Sequence, residues 1–413
     1  MTKQGLHRLV FRLVLCCAAL LFASVGFAAE PISTAKAPPA AAPSSAPRIG
    51  VMTMRPGNIF WERFGHDALV VQDPVTGESL NYNFGFFDPT APDFVSRFAR
   101  GEMRYQLAVL TTEQDLSIYR AEGRGVQMQW LNLSPERARA LDQALRLNAQ
   151  PQNAFYDYRY FTDNCATRVR DAVDRAFGGA LRSQLESRSQ GLTYRSEAVR
   201  LADDALWMRY LFDLGLGPQA DRPMSRWDES FIPGRFAAAL TDLQVDGKPV
   251  VASTQTLLEH QLRPDAVDAS FRWMYWLLAG AALGAMLLWL RRLTLRGFGI
   301  TATIIWLLLS AFGATLLYLW LFTAHNFAFA NRNLWLMNPL ALLPLLAWWR
   351  KHPRVLQWSA LPVHVILPVI AVFEYWSLLP QRNAHWIALL LPIHVALYLA
   401  CRPVQWPDEP ADH

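Results

Sequence analysis

The stretch YFTDNCATRVRDAVDRAFGG, residues 160–179, decides the fold of the larger part of this 413-residue chain. The Thr-Asp-Asn before Cys165 consists of residue types that cap helix N-termini, and Gly178-Gly179 is typical of a helix end. Between them, apolar residues recur at helical spacing on one face: Val169, Ala172, Val173, Ala176 and Phe177. The pattern predicts a capped amphipathic helix, with Cys165 in its first turn on the side facing the core.

The position of Cys165 suggests a chemical role. The first turn of a helix presents unpaired N–H groups and the positive end of the macrodipole, and both favour a thiolate. We therefore predict that the pKa of this cysteine is lowered and that its sulfur can attack an acyl carbon. Such a nucleophile needs a base within hydrogen-bond reach and a third group that orients the base. In the alternative interpretation, Cys165 is a small buried hydrophobe.

His66 is the candidate base. Of nine histidines, only His66 and His260 lie in the globular segment. His66 belongs to FGHDALVV, residues 64–71, in which a glycine leads into a strand, and a strand is a rigid platform for a base. Symmetric pairing with the following strand would place Asn81 and Asn83 on the face of His66, and either could orient the imidazole; we favour Asn83. In the alternative interpretation, His66 is a structural histidine at a strand end.

Short strand-like runs and helical stretches alternate over residues 48–268. Ala68–Val71 and Leu80–Phe84 are typical of strands, and Pro135–Leu147 of a helix, so this segment is predicted to be an α+β domain. Asp246-Gly247 between strand formers predicts a short hairpin.

The N-terminal region is predicted to direct this domain out of the cytoplasm. Basic residues precede an apolar run and a small-residue site, so residues 1–29 are predicted to be a signal peptide or an N-terminal anchor. Residues 30–47 are rich in Pro, Ala and Ser and are predicted to be a flexible linker. Either fate of the signal segment places residues 30–270 outside the cytoplasm.

The last third of the chain is predicted to be an all-α transmembrane domain, residues 271–401. Apolar segments near the ~20 residues that a spanning helix needs predict five helices: 271–290, 299–322, 334–349, 356–379 and 385–401. Arginine and lysine follow the first, third and fifth segments. One topology makes all three clusters cytoplasmic; it begins outside and ends with a cytoplasmic tail, residues 402–413. This topology agrees with export of the preceding domain.

Composition excludes several classes of protein. The chain is 52% hydrophobic and 18% charged, which excludes a soluble cytoplasmic enzyme. Its basic excess lies in residues 271–413, which carry 10 Lys and Arg against 4 Asp and Glu, separated by apolar runs. A nucleic-acid surface needs such residues clustered on one folded face, so no nucleic-acid partner is expected. No spacing resembles a metal site and no glycine loop suggests a nucleotide, so no metal or cofactor is expected.

Two levels of resemblance accompany these patterns. Asn164-Cys165 opening a helix about a hundred residues after Gly65-His66 resembles the permuted NlpC-type papain-like fold, as in the lecithin retinol acyltransferase group. More specifically, the motifs resemble the Lnb-type lipoprotein N-acyltransferase family over most of residues 48–400. Those motifs are WERFGH (61–66), YFTDNCATR (160–168), His325-Asn326, Asn331-Arg-Asn333 and Asn338-Pro339.

The resemblance implies a thioester mechanism. Cys165 would take an acyl chain from a membrane phospholipid and pass it to the N-terminal amine of a lipoprotein, with His66 as general base and then general acid. The backbone N–H of Cys165 is a candidate oxyanion donor. The alternative is a membrane-tethered NlpC-like amidase or peptidase that uses the same residues on cell-wall peptides. The sequence leaves the oligomeric state, the acyl chain and its donor molecule open.

Further polar residues are candidates for substrate binding or domain docking: Asn164 and Arg168 beside the cysteine, and His325, Asn331 and Asn333 in a loop between apolar segments. The loop is expected on the side of Cys165, where it could bind a lipid headgroup or the lipoprotein amine, and we favour docking. His364 and His394, near mid-membrane, are predicted to be neutral and hydrogen-bonded to carbonyl groups.

Overall fold

The computed structural model describes residues 45–267 and 270–402. The predicted signal segment, all of the linker before Ser45 and the tail beyond Arg402 lie outside the described residues and stay predictions.

A seven-stranded antiparallel sheet forms the centre of the first domain. Its strand order is β6-β4-β3-β2-β1-β5-β9. The strands are β1 (Arg48–Met54), β2 (His66–Gln72), β3 (Ser79–Phe86), β4 (Arg104–Thr111), β5 (Val126–Leu131), β6 (Phe155–Asp157) and β9 (Val251–Leu258). The hairpin predicted around Asp246-Gly247 is present as β7 (Gln244–Val245) and β8 (Lys248–Pro249), with both turn residues at positive φ.

Nine helices of this domain lie within the described residues and surround the sheet. They are α1 (Phe94–Arg100), α2 (Thr112–Ala121), α3 (Pro135–Asn148), α4 (Cys165–Ala176), α5 (Ala180–Leu185), α6 (Tyr194–Leu201), α7 (Leu206–Gly215), α8 (Arg226–Glu229) and α9 (Pro233–Asp242). The mixture of strands and helices confirms the α+β prediction for this domain.

The two faces of the sheet bury different apolar sets. Leu69 and Val71 of β2 pack in one core cluster with Val169 and Val173 of α4. On the opposite face, Val70 belongs to a second cluster against which α2 packs. The alternation follows from the period of two along a strand, and burial of each such side chain contributes about 1.5–3 kcal/mol. Helix α4 is thereby fixed against the central strands.

The helix predicted around Cys165 is present with its caps. The Asn164 side chain accepts a hydrogen bond from the Thr167 N–H (2.9 Å), and the Thr167 hydroxyl accepts one from the Asn164 N–H (2.7 Å). This reciprocal capping box fixes the first turn of α4. Gly178 and Gly179 follow the helix in the left-handed region, at φ 71° and 83°, which residues with a side chain rarely adopt.

The register of β2 and β3 is the predicted one. Ala68 lies opposite Asn83 and Val70 opposite Asn81, so both asparagines share a face with His66. Gly65 precedes the strand at φ 79°, where an added Cβ would lie 2.6 Å from the Met54 carbonyl oxygen. Only glycine permits this close approach of the two chains, and the glycine therefore sets the start of β2.

The last third of the chain is helical. Its helices are α10 (Trp273–Leu293), α11 (Leu295–Phe322), α12 (Leu342–Trp349), α13 (Pro353–Leu361), α14 (Leu367–Tyr375) and α15 (Ala384–Ala400). Within the described residues, three stretches are long and apolar enough to cross a membrane: α10, α11 and Pro353–Tyr375, in which a π-helical turn joins α13 to α14.

The predicted count of five spanning helices is not confirmed. The third predicted segment, 334–349, contains turns of 3-10 helix and then the eight-residue α12, because Asn338 caps a turn that begins at Pro339. The segment is apolar, but Pro339 and the capping Asn338 prevent one continuous helix from forming. The fifth segment forms α15, which has 17 residues.

Candidate active site

Cys165 and His66 line the same cavity, which has a volume of about 470 Å³. The first turn of α4 brings the cysteine there, and the start of β2 brings the histidine. Aromatic side chains form much of the remaining wall, among them Phe60, Trp61, Phe84, Phe98, Tyr158 and Phe212. The C-terminal end of α11 also contributes, through Leu319 and the following Ala324 and His325. A second cavity, of about 680 Å³, lies beside β1, β5 and α9 and contains neither His66 nor Cys165.

Asn83 is the side chain that holds the imidazole of His66. The Nε2 atom of His66 lies 3.1 Å from Oδ1 of Asn83, whose Nδ2 donates to the Asp115 carboxylate (2.9 Å). Donation to Asp115 fixes the orientation of the amide, and an amide oxygen only accepts, so Nε2 carries the proton. Nδ1 is then the unprotonated nitrogen that can act as a base. This contact distinguishes the two asparagines. The Asn81 amide nitrogen also donates to Asp115, but its oxygen accepts a bond from the Thr112 hydroxyl and does not meet His66.

The His66 imidazole is neutral at physiological pH. Burial and, next, the positive charge of Arg124 lower its pKa to about 4, although the Asn83 hydrogen bond opposes them. A neutral imidazole is the form that can accept a proton from a thiol.

The predicted lowering of the Cys165 pKa is wrong for this structure. Burial and, next, the nearby Asp67 carboxylate raise it to about 12. Backbone N–H groups of Asp67, Ala166 and Cys165 oppose this rise, so the helix N-terminus acts as predicted but is outweighed. The cavity is therefore lined by a neutral thiol and a neutral imidazole, so the proton must leave sulfur as the sulfur attacks.

Asp67 is a site residue that sequence reasoning missed. It is fully buried, accepts a hydrogen bond from the Thr53 hydroxyl (2.7 Å), and its other carboxylate oxygen has no protein partner. Burial raises its pKa to about 7, against that hydrogen bond. An acidic residue within an apolar strand, on the face opposite His66, was the signal that could have identified it.

Asn164 and Arg168 have structural partners. In addition to capping α4, the Asn164 amide donates to the carbonyl oxygens of Tyr160 (2.8 Å) and Phe231 (2.9 Å). Arg168 pairs with Asp163 (2.7 Å) and its guanidinium lies over the Tyr156 ring. Of the two, only Asn164 lines the cavity.

The loop after α11 contacts the first domain through His325. His325 stacks on Tyr160 with ring centroids 5.9 Å apart, and its Nε2 lies 3.1 Å from the Phe98 carbonyl oxygen. It therefore docks the domains and also forms part of the cavity wall.

Asn331 and Asn333 lie further along this loop and are buried. Asn331 donates to the Leu214 carbonyl oxygen of α7 (2.8 Å), and the Asn333 amide reaches the same oxygen at 3.5 Å. Asn333 is held by Asn383 of the helical domain, from which it accepts a bond (2.8 Å). The contacts with Leu214 place both residues at the junction of the two domains.

A buried ionic cluster completes the docking and was not predicted. Asp213 of α7 accepts hydrogen bonds from the side chains of His385 and Trp386 at the start of α15, at 2.6 Å each. Asp221 pairs with Arg195 (2.9 Å) and accepts a bond from the Arg382 N–H (3.0 Å). Removing one partner of such a buried pair costs about 3–5 kcal/mol, so the cluster holds the two domains in one arrangement.

His364 and His394 form a hydrogen-bonded chain inside the helical domain. Trp306 donates to His364 Nε2 (2.9 Å), the two Nδ1 atoms lie 2.9 Å apart, and His394 Nε2 lies 2.9 Å from the Leu336 carbonyl oxygen. Two neutral imidazoles satisfy every one of these bonds. The carbonyl partner of His394 agrees with the sequence prediction, while the contact between the two histidines was not predicted.

Within residues 45–267 and 270–402, no group of three or more His, Cys, Asp or Glu side chains could hold a metal ion.

Replacing Asn83 with alanine is expected to lower the rate of a reaction that uses His66 as its base on the order of 100-fold, because His66 would lose the group that fixes its tautomer and orientation. Asn81→Ala is the matched control, since it removes a like amide that also bonds Asp115. Initial rates with the same donor and acceptor measure both variants. Equal losses would show that the two asparagines act only through stability.

Fold and site define a class: an α+β domain with a cysteine at a helix N-terminus and an asparagine-held histidine on a neighbouring strand, joined to apolar helices. Residues 35–199 match the family model of the Lnb N-terminal periplasmic domain. The match confirms the resemblance to the Lnb-type family that the motifs indicated, and it covers His66, Asn83 and Cys165. No curated protein and no solved structure matches the chain. The protein is thus a membrane protein with a periplasmic domain.

Proposed function

We propose that this protein is a cysteine acyltransferase of the bacterial inner membrane, which moves a fatty acyl chain from membrane lipid, through a Cys165 thioester, to the N-terminal amine of a lipoprotein. The observation that carries the proposal is the aromatic cavity, in which Cys165 and His66 meet the C-terminal end of the apolar helix α11. The fold proposed for the periplasmic domain is permuted papain-like, because the histidine strand precedes the cysteine helix.

The first half-reaction forms the thioester. Nδ1 of His66 takes the thiol proton as the sulfur attacks the ester carbonyl carbon of the lipid. The backbone N–H groups at the start of α4 are placed to stabilise the developing oxyanion. The carbon–oxygen bond then breaks, the leaving alkoxide takes the proton from His66, and a lysolipid alcohol departs.

The second half-reaction transfers the acyl group. The lipoprotein amine attacks the thioester carbonyl carbon, the carbon–sulfur bond breaks, and an amide forms. His66 takes the proton of the amine and returns it to sulfur, which restores the thiol. No net oxidation occurs and no cofactor is needed.

The cavity suits an acyl chain better than a peptide. Its volume of about 470 Å³ falls in the range of about 300–1,000 Å³ that is usual for small-molecule sites. Aromatic walls bind alkyl chains by removing apolar surface from water. An acyl chain bound along these apolar walls would displace water from the thioester, which favours an amine over water as acceptor and disfavours the hydrolase alternative.

The proposed topology crosses the membrane several times with the catalytic domain in the periplasm. Contacts at the helix ends support it. The backbone N–H of Ala324, after α11, donates to the Arg100 carbonyl oxygen of the periplasmic domain (2.7 Å). Near the same end, Arg332 forms an ion pair with Glu374 at 2.6 Å. At the opposite ends, Arg291 donates to the Ala400 carbonyl oxygen (3.1 Å), near the clusters predicted to be cytoplasmic. The grouping of Arg291 with the end of α15, away from the ends that contact the periplasmic domain, supports the proposed topology.

The test uses the purified full-length protein in vesicles of phospholipid with deuterated acyl chains. The acceptor is a synthetic diacylated lipopeptide with a free N-terminal amine, and mass spectrometry follows its N-terminus. We expect an amide-linked acyl chain. A deuterated chain identifies the phospholipid as donor, and an unlabelled chain with loss of one ester identifies the lipopeptide itself. A cell-wall peptide is offered in a parallel reaction. If the lipopeptide amine stays free while the cell-wall peptide is cleaved, the transferase hypothesis is rejected in favour of the hydrolase.

A further inference from the structure

We propose that helix α7 and the preceding turn Phe60–Glu62 lie in the outer leaflet of the bilayer and form a lateral portal, through which a lipid acyl chain enters the catalytic cavity from the side. The passage of an acyl chain rests on the proposed function. The position of α7 in the lipid does not, and it can be measured separately.

The outward face of α7 is apolar although the helix belongs to the periplasmic domain. Leu206, Trp207 and Leu211 are 60%, 43% and 43% exposed in the described structure. The two charged residues of the helix have partners within the protein. Arg209 pairs with Asp203 (2.7 Å), and Asp213 is buried against His385. A helix whose charges are neutralised inside while large apolar side chains point outward suits an apolar medium.

Contacts fix the depth of α7 relative to the membrane helices. Tyr210 stacks on Phe271 with ring centroids 5.7 Å apart, and it packs edge-on against Trp276 of the first turn of α10 at the same separation. Asp213 bonds the first turn of α15, as described above. The helix is therefore level with the ends at which α10 and α15 enter the bilayer, where interfacial helices bury their apolar face by about 5–10 Å.

The exposed face of α7 continues into the cavity. Trp207 stacks on Phe60 (6.3 Å), and Phe60 packs against Phe212 (5.8 Å); Phe60 and Phe212 both line the cavity. Leu211 lines the cavity while remaining 43% exposed, so this one side chain meets both the surroundings and the interior. Leu319 of the membrane helix α11 also lines the cavity. A chain can thus pass from the lipid to Cys165 without crossing water.

The occupant of this face is the hydrocarbon region of the outer leaflet. Exposed apolar side chains also occupy the neighbouring ends of the membrane helices, such as Trp273 (51% exposed) in the turn of α10 that Tyr210 contacts, and Leu321 (57%) of α11. Those residues belong to helices that are long and apolar enough to span a membrane. One apolar surface that includes both kinds of helix is covered most simply by one lipid phase.

The depth of α7 in the bilayer is measured with a nitroxide label on a single engineered cysteine. The full chain, with its native cysteines replaced, is reconstituted in phosphatidylcholine vesicles. Leu206→Cys should show high accessibility to oxygen and low accessibility to a water-soluble nickel complex. Leu278→Cys of α10 is the lipid reference, and Val75→Cys, in the exposed β2–β3 turn, is the water reference. A water-like result at 206 overturns the proposal. Protection from both reagents also overturns it, because a protein segment would then cover the face.

The second arm tests the passage of lipid, with Leu206→Asp, a residue that does not line the cavity. We expect acylation of Cys165 from vesicle phospholipid to slow about tenfold or more, and acylation by a water-soluble short-chain nitrophenyl ester to stay unchanged. Val75→Asp is the control. Equal rates from phospholipid overturn the portal. If phospholipid does not acylate even the wild type while position 206 is lipid-exposed, phospholipid is rejected as the acyl donor. The position of α7 in the membrane is then still supported.

Discussion

Replacing Cys165 with alanine is expected to abolish acyl transfer, with a loss of about 10⁴-fold or more. The sulfur is the atom that would carry the acyl group in both half-reactions, and within residues 45–267 the chain has no other cysteine. The variant should fold and insert normally, because the change removes one buried atom and leaves the Asn164–Thr167 cap intact. Mass spectrometry of the acceptor N-terminus measures the loss, and trapping of the acyl-enzyme in the wild type measures the intermediate.

Cys401→Ala is the matched control for this substitution. Cys401 is also buried and unpaired, but it lies at the end of α15. It is expected to retain full activity. Cys165→Ser separates nucleophilicity from shape, since a hydroxyl keeps the volume but loses its proton far less readily. Full activity in Cys165→Ser and Cys165→Ala would remove both enzyme hypotheses and leave an interaction protein.

The parts of the site that depend on local patterns could be predicted from the sequence. The caps and apolar face of residues 160–179 gave α4 its bounds, and strand alternation gave His66 and Asn83 a common face. The choice between Asn81 and Asn83 depended on tertiary contacts of the two amide oxygens. Both amides donate to Asp115 of α2, but only the Asn83 oxygen meets His66, while the Asn81 oxygen accepts a bond from Thr112, 31 residues away. Periodicity contains no information about such a contact.

The electrostatics of the site could not be predicted from position on a helix. The N-terminal N–H groups do lower the pKa of Cys165, but burial and Asp67 dominate. Burial depends on what packs over a side chain, and here the cover comes from distant segments. The docking cluster was missed for the same reason: Asp213 and His385 are 172 residues apart. Hydropathy located the membrane segments, but a window average does not register a capping asparagine or a proline within an apolar run.

Replacing His66 with glutamine is expected to lower activity on the order of 10³-fold, since general-base catalysis contributes about 10²–10⁴-fold. His260→Gln is the matched control, because His260 belongs to the same domain but does not line the catalytic cavity. A loss shared by both variants would argue that His66 serves the fold and not the reaction.

The pH profile distinguishes a neutral thiol–imidazole pair from an ion pair. Because the pKa of His66 is lowered to about 4, kcat/KM of the wild type should hold as pH falls from 6.5 and drop only near pH 4. Ionisation of Asp67, whose pKa is about 7, places a negative charge near the sulfur and should lower the rate above that pH. Asp67→Asn should remove the upper limb alone, and His66→Gln the lower one. A lower limb near pH 6.5 in the wild type would contradict a neutral His66 with a lowered pKa.

The lowered pKa of His66 also makes the folded protein less stable in acid. The loss of rate that comes from protonation of His66 must therefore be distinguished from a loss that comes from unfolding. A histidine whose folded pKa lies below its unfolded value of about 6.5 contributes stability above pH 6.5, and this contribution is lost as pH falls towards 4. Rates are therefore measured after brief exposure to each pH and again after return to pH 7, with tryptophan fluorescence as the monitor of folding. A drop in rate that is fully reversible while the fluorescence is unchanged assigns the limb to protonation of the base. Because His66→Gln cannot be protonated there, it should be both slow and insensitive to acid over the window in which the wild type loses its rate.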